Sequence, residues 1–286
     1  MAPKARNRAS ITGSSLSGGR PRVMGVVNVT PDSFSDGGRF LGPEAATAHA
    51  LRLIAEGADV LDIGGESTRP GAEPVAEAEE IARVVPVIRA VRSQNAIPIS
   101  IDTMRPEVAR AAMAAGAGMW NDVTALDWSP QSLSVAAEMG CEVVLMHMRG
   151  DPRTMQDDPD YADVAAEVTG FLAHRAEAAM AAGVAREHIW LDPGIGFGKR
   201  LDHNLALLRG LERIADLGFP VLLGVSRKGF VRTIDATAVE AGDRLGGSLA
   251  AALWGGGHGA AMLRVHDVRE TVQAFKVLGA IEAAQT

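Results

Sequence analysis

Polar and ionisable side chains follow the short apolar runs of this 286-residue sequence, and by type they fall into two groups. The first group, Asp102, Asn121, Asp192 and Lys228, offers two carboxylates, one amide and one ammonium group. Carboxylate and amide oxygens accept hydrogen bonds, and the ammonium group donates them. The first group therefore predicts a site for a flat heterocycle that bears ring N–H and amino groups.

The second group combines cations with hydrogen-bond donors, and its members are Ser67, Thr68, Arg69, Arg264 and His266. Guanidinium groups and hydroxyls are suited to an anion such as phosphate. Asn28 belongs with this group, since its amide oxygen can ligate Mg²⁺, a cation that commonly takes few protein ligands plus phosphate oxygens. The second group predicts an anion site with a magnesium ion.

Alternating short apolar runs and longer amphipathic stretches must position these side chains. The predicted strands are 23–29, 60–64, 97–102, 119–123, 142–147, 189–192, 221–225 and 261–265. The predicted helices are 43–56, 76–93, 105–115, 129–139, 160–182, 204–215, 242–254 and 267–284.

Eight β-then-α units predict an α/β protein with a single (β/α)8 TIM-barrel domain over residues 21–286;. A doubly wound open sheet is the structural alternative. In a barrel the loops after the strands share one face, which brings both groups together there. Residues 1–20 are basic and rich in Ser and Gly, and they are predicted to form a flexible N-terminal tail;.

Composition excludes several functional classes. The net charge of −7 argues against a nucleic-acid partner, which requires a basic face;. Cys141 is the single cysteine and lies in an apolar run, so it is predicted to be a buried packing thiol;. No run of about 18 apolar residues is present, so no membrane span is expected;. We expect a cytoplasmic enzyme that acts on small molecules.

Five segments of this sequence resemble signature motifs of the dihydropteroate synthase family, a group of pterin-binding TIM barrels. They occur in the family's order and are residues 28–38, 62–71, 192–199, 226–228 and 264–267. The resemblance extends from about residue 23 to the C-terminus. It implies that 4-aminobenzoate displaces pyrophosphate from 6-hydroxymethyl-7,8-dihydropterin diphosphate, giving 7,8-dihydropteroate for folate biosynthesis.

The resemblance also implies roles for individual residues. The pterin would be held by Asp102, Asn121, Met146, Asp192 and Lys228. The diphosphate would be held by Asn28, Thr68, Arg69, Arg264 and His266, with Asn28 as the Mg²⁺ ligand. The aminobenzoate site would be formed by Phe34, Ser67, Thr68, Pro70, Phe197, Ser226 and Lys228. The catalytic residues would be Asp36, Arg69, Asp192 and Lys228.

Several alternatives remain open at this point. A methyltetrahydrofolate-type methyltransferase domain would share the pterin group but would not need the anion motifs. A non-catalytic pterin-binding paralogue would keep the barrel without turnover. Asp36 is either a stabiliser of positive charge or a solvated loop carboxylate. The family implies a homodimer through the last two helices, although the apolar residues Leu249, Leu253, Val272 and Leu278 could equally pack against the barrel.

Overall fold

Eight short apolar segments form the parallel strands of a closed barrel. The computed structural model describes residues 19–29, 42–66, 74–150, 155 and 159–284. The strands are β1 (Arg22–Asn28), β2 (Val60–Gly64), β3 (Ile99–Asp102), β4 (Met119–Asp122), β5 (Glu142–Met146), β6 (Ile189–Asp192), β7 (Val221–Leu223) and β8 (Ala260–Val265). Each strand pairs with its neighbours in chain order and β8 pairs with β1, which confirms the predicted barrel and excludes the open sheet.

Ten α-helices cover the barrel within the described ranges. They are α1 (Pro43–Glu56), α2 (Glu77–Arg92), α3 (Pro106–Ala115), α4 (Ser132–Met139), α5 (Val164–Ala181), α6 (Leu201–Arg209), α7 (Leu211–Ala215), α8 (Gly229–Ile234), α9 (Leu245–Gly257) and α10 (Val268–Ala283). The main hydrophobic core lies between these helices and the outward faces of the strands.

Inside the barrel the strands contribute a separate apolar layer. Its members are Met24, Val60, Met119, Val144, Trp190, Leu222 and Met262, all of them buried. Side chains two residues apart point to the same side of a strand. The residues that follow this layer by two positions therefore also point inward, towards the C-terminal mouth.

Several predicted helices differ from the observed ones: the helix predicted over 129–139 begins at Ser132, and the helix predicted over 242–254 spans Leu245–Gly257. Two further differences have a clear local cause. The stretch predicted as one helix over 204–215 is divided into α6 and α7, with Gly210 ending the first and beginning the second. Glycine has low helix propensity, and the Gly210 carbonyl accepts the Arg213 N–H to start a new turn;. The helix predicted over 160–182 begins at Val164, because the Asp163 side chain caps it by accepting the N–H groups of Ala165 and Ala166;.

One helix was not predicted, and four strands are shorter than predicted; the fourth and fifth each end one residue early, at Asp122 and Met146. The six-residue helix α8 follows β7 directly and is too short to produce a recognisable apolar period;. The third strand begins at Ile99 rather than residue 97, and the seventh ends at Leu223 rather than residue 225.

The predicted N-terminal tail lies largely outside the described residues, but its last residue does not. Arg20 donates to the carboxylate of Asp59 at 2.5 Å, so this end of the segment is bound to the barrel.

Cys141 is buried as predicted, and burial raises its thiol pKa to about 11. No helix among the described residues is both long and apolar enough to cross a membrane.

Candidate active site

The predicted heterocycle group forms one pocket at the C-terminal mouth of the barrel. Its lining comes from β3, β4, β5, β6 and β8 and from the segments that follow β4, β6 and β7. The lining residues are Asp102, Asn121, Val123, Met146, Asp192, Gly194, Ile195, Phe197, Gly224, Lys228 and Arg264. All five residues predicted to hold a pterin are therefore together in the structure.

A chain of buried polar contacts lies at the base of this pocket. Arg264 donates through Nε to Asp62 Oδ2 at 2.6 Å and through Nη2 to Asp102 Oδ2 at 2.7 Å. The Asn121 amide nitrogen donates to the same Asp62 oxygen at 3.1 Å. Asp62 is fully buried and was not among the predicted site residues. The sequence did contain an indication of its role, because a carboxylate inside a buried strand requires a partner.

Burial shifts the protonation of the pocket groups. Desolvation raises the pKa of Asp102 to about 7, against the opposing effect of Arg264. Desolvation also raises the pKa of Asp192, while Lys228 and Arg264 lower it. The pKa of Lys228 is lowered to about 8, first by desolvation and then by Arg264. Perturbed carboxyl and ammonium groups in one cleft are characteristic of functional sites.

One wall of the pocket is apolar and suits the face of a flat ring. Met146 packs with Met104 and Val123, and Met148 and Phe197 pack against them. The Lys228 ammonium lies 4.1 Å from the centre of the Phe197 ring. Asp192 is held from behind by the Gly194 N–H, which donates to its Oδ1 at 2.7 Å. The wall and the polar edge together can bind a heterocycle by both stacking and hydrogen bonds.

Lys199 fixes the turn that carries Phe197. Its buried Nζ lies 3.0 Å from the Gly194 carbonyl, 2.9 Å from the Phe197 carbonyl and 3.1 Å from the His147 carbonyl. Burial lowers the pKa of Lys199 to about 7. Gly194 has a φ of +66°, and a β-carbon there would collide with the His147 carbonyl. The segment after β6 is thereby joined to the end of β5.

The anion group is only partly described. Phe34, Asp36, Ser67, Thr68, Arg69 and Pro70 lie outside the described residues. His266 and Ser226 are neighbours: the Ser226 hydroxyl oxygen lies 3.1 Å from both His266 N and Nδ1. Asn28 ends β1 opposite Gly64 of β2 and is half-buried.

Two expectations for the anion group need correction. His266 was expected to supply a cation, but desolvation and the charge of Arg264 lower its pKa to about 3, so it is neutral at pH 7. Arg264 was placed with the anion group alone, but its guanidinium bonds two carboxylates and lines the heterocycle pocket. Its charge is already balanced before any anion arrives.

Comparison with known proteins agrees with this geometry. The chain matches the family model described as pterin binding enzyme over residues 24–266. Dihydropteroate synthase from Escherichia coli K12 is 45% identical over 273 residues, with 96% of each chain covered.

Solved structures agree in sequence and in fold. Xanthomonas albilineans dihydropteroate synthase with 4-aminobenzoic acid is 53% identical with a TM-score of 0.87, covering 92% of this chain and 94% of that one. A structure of the enzyme from that organism in complex with 7,8-dihydropteroate is 49% identical with a TM-score of 0.84, covering 94% and 96%. The Yersinia pestis enzyme in a sulfonamide drug complex is 44% identical with a TM-score of 0.87, covering 94% and 96%. The chain therefore belongs to the pterin-binding enzymes, as a member of the dihydropteroate synthase family.

Proposed function

We propose that this protein is a dihydropteroate synthase, a transferase of folate biosynthesis. It joins 4-aminobenzoate to 6-hydroxymethyl-7,8-dihydropterin diphosphate and releases pyrophosphate. The observation that carries the proposal is the pocket in which Asp102, Asn121, Asp192 and Lys228 converge, within a chain that matches the family over nearly its whole length.

In the proposed complex the pterin lies against the apolar wall with its polar edge towards the pocket base. Asp102, Asn121 and Asp192 accept hydrogen bonds from ring N–H and amino groups, while Lys228 donates to a ring acceptor. Met146 and Phe197 contact the ring face. These assignments use side chains that line one pocket.

Departure of the diphosphate is the demanding step. The bond between the pterin methylene carbon and the diphosphate oxygen breaks, and the electron pair leaves with pyrophosphate. The electron-rich ring shares the resulting positive charge, and we assign its stabilisation to Asp192 and to Asp36. The lone pair of the aromatic amine then forms the new C–N bond, and a proton is lost from nitrogen. An aromatic amine is unprotonated at neutral pH, so this path needs no strong base.

The leaving group is assigned to the anion residues at the mouth. Arg69 neutralises the growing charge, while Arg264, Thr68 and the neutral His266 act as hydrogen-bond donors. The buried carboxylates beneath Arg264 hold its guanidinium in place before substrate arrives.

We assign Mg²⁺ to Asn28. The described part of the chain contains no cluster of His, Cys, Asp or Glu that could enclose a metal ion. A single amide oxygen at the end of β1 fits a hard cation that takes most of its ligands from diphosphate and water. When bound, Mg²⁺ supplies neutralisation of phosphate charge.

Replacing Asn28 by alanine should test this assignment. We expect the Asn28→Ala variant to need more Mg²⁺ for half-maximal activity, because one ligand is lost. A Mg²⁺ titration of initial rates measures this need. The same midpoint in variant and wild type would exclude Asn28 as a ligand.

We place 4-aminobenzoate between the pterin pocket and Phe34, Ser67, Thr68, Pro70 and Ser226, with Phe197 and Lys228 on the pocket side. Sulfonamides mimic this acceptor, and a 44% identical relative has been solved with one. We therefore expect sulfonamides to inhibit competitively with 4-aminobenzoate in steady-state kinetics. Full activity at drug concentrations far above that of 4-aminobenzoate would contradict the expectation.

We further propose a cytoplasmic homodimer that contacts through α9 and α10. Val272 is buried in the main core, and Leu253 and Leu278 are packed against the same core, which agrees with the alternative that these side chains pack against the barrel. The exposed large apolar side chains on the two helices are Trp254, Val277 and Ile281. Sedimentation of wild type and of Val277→Glu would test the contact, with dissociation expected for the variant.

Pyrophosphate release decides the main proposal. The purified protein is mixed with both substrates and Mg²⁺, and pyrophosphate is measured by a coupled assay. Release that requires both substrates supports a synthase. Pterin binding without release indicates the non-catalytic paralogue. In a separate mixture, methyl transfer from added methyltetrahydrofolate to an added thiol acceptor would indicate the methyltransferase alternative.

A further inference from the structure

We propose that Asp62 is a specificity-determining residue: it holds the Asn121 amide so that the amide oxygen faces the bound heterocycle. Asp62 does not itself line the pocket, whereas Asn121 does. The inference rests on the proposed function for the identity of the ring. It adds a positioning residue beneath the site.

The geometry places Asp62 where it can control Asn121. Asp62 lies in the middle of β2 and is fully buried. Its Oδ2 atom receives the Asn121 Nδ2 group at 3.1 Å and Arg264 Nε at 2.6 Å. One carboxylate oxygen therefore holds two groups that line the pocket.

Partner chemistry fixes which end of the amide points to Asp62. A guanidinium only donates, and a carboxylate paired with it only accepts. Because Arg264 pairs with Asp62, the group that Asn121 turns to Asp62 must be a donor. The NH₂ end of the amide is the only donor in this side chain, so its oxygen is directed away from Asp62.

The fixed amide sets the hydrogen-bonding polarity of the pocket. With Asn121 held in this way, its oxygen joins the carboxylates of Asp102 and Asp192 as acceptors. Such a pocket selects a ring that presents N–H and amino groups. A reversed amide would place donors against those donors, and unmatched buried polar groups weaken binding strongly.

The test replaces Asp62 by asparagine, which keeps the shape but can donate as well as accept. We expect the dissociation constant of 6-hydroxymethylpterin, measured by calorimetry, to rise about tenfold in Asp62→Asn, the effect of one mismatched buried hydrogen bond. The matched control is Ser100→Ala. Ser100 is the cross-strand neighbour of Asp62 and is fully buried, and its hydroxyl has no partner among the described residues. We expect this control to leave pterin affinity unchanged.

Exchanging the residue types at positions 62 and 121 distinguishes a positioning role of Asp62 from a general structural role. In the Asp62→Asn, Asn121→Asp double variant, residue 62 can donate to residue 121, which again presents an acceptor to the ring. We expect the double variant to recover most of the pterin affinity lost in the single variant. Unchanged affinity in folded Asp62→Asn, or no recovery in the double variant, would overturn the proposal.

A second measurement keeps the proposal testable if Asp62→Asn does not fold. In the wild-type pterin complex, the Asn121 side-chain amide proton that points to Asp62 should exchange slowly with solvent because it is hydrogen-bonded there. Exchange as fast as that of an exposed asparagine would refute the inference. These readouts measure pterin binding, so they are independent of the pyrophosphate assay that tests the proposed function.

Discussion

Two successive layers of side chains inside the barrel come from the same strands but differ in how their side chains are accommodated away from water. On β4 the inward residues are Met119 and then Asn121, and on β8 they are Met262 and then Arg264. The first layer consists mainly of hydrophobic side chains, with Trp190 among them. Two residues further along, the second layer contains paired charges and lines the pocket.

The difference shows how one scaffold separates stability from recognition. The apolar layer stabilises the barrel by removing hydrocarbon from water, and its Trp190 N–H donates to the Glu142 carboxylate;. The charged layer is costly to bury unless each group is paired. In return it offers directed hydrogen bonds to a substrate. Function is therefore concentrated in a layer that depends on pairing.

Removing Arg264 should have the largest effect on the stability of the charged layer. In Arg264→Met, Asp62 and Asp102 remain buried without their cation, and we expect a loss of about 3 kcal/mol in the free energy of unfolding. The control is Met262→Ala on the same strand, which leaves a cavity and should also cost about 3 kcal/mol. Urea unfolding at pH 5 and pH 8 measures both losses.

The pH dependence distinguishes the two losses. Burial already raises the pKa of Asp102 from 3.8 to about 7, and removal of Arg264 raises it further. A raised pKa in the folded state favours the fold at low pH, and this contribution disappears as pH rises through the folded value. The loss in Arg264→Met should therefore be larger at pH 8 than at pH 5, whereas the loss in Met262→Ala should be the same. Equal losses at both pH values in Arg264→Met would contradict the pairing argument.

Changes at the pocket edge should reduce catalysis more than stability. We expect Lys228→Ala and Asp192→Asn each to lower kcat by about a hundredfold, because each removes a group that contacts the reacting ring. Initial rates and thermal unfolding of the same preparations measure the two effects. A rate close to wild type in either variant would show that the pterin pocket is wrongly placed.

Local sequence patterns were sufficient to predict the strands and the polar groups at their ends, but not the pairing between those groups. The two-residue period of strands places Asn121 and Arg264 on the inner face, and the strand ends locate the mouth. The partner of Arg264 cannot be read in this way, because Asp62 lies 202 positions away in the sequence. Only closure of the barrel brings β2 and β8 to opposite sides of β1.

The neutral state of His266 also could not be predicted from the sequence. Histidine has an ordinary pKa near neutrality, so its charge depends on surroundings that a sequence does not list. Here desolvation and Arg264 lower that pKa.

The helix break at Gly210 was visible in the sequence as a glycine in a helical pattern. Glycine is tolerated in many helices, so only the backbone contact of Arg213 shows that a new helix starts there;.

The smallest effect that we expect is the pH dependence of activity caused by deprotonation of Lys228. It reports directly on the electrostatics of the charged layer. Desolvation and Arg264 lower its pKa to about 8, although Asp192 and Asp102 oppose the shift. Lys228 must be protonated to donate to the ring, so kcat/KM for the pterin substrate should fall about tenfold per pH unit above pH 8, since this quantity reports the free enzyme.

Lys228→Arg is the matched variant, because arginine stays protonated throughout this range. Its residual kcat/KM should not decline between pH 8 and pH 9.5. A decline of the same midpoint in both proteins would assign the titration to another group. It would also show that the pocket base does not depress the pKa of Lys228.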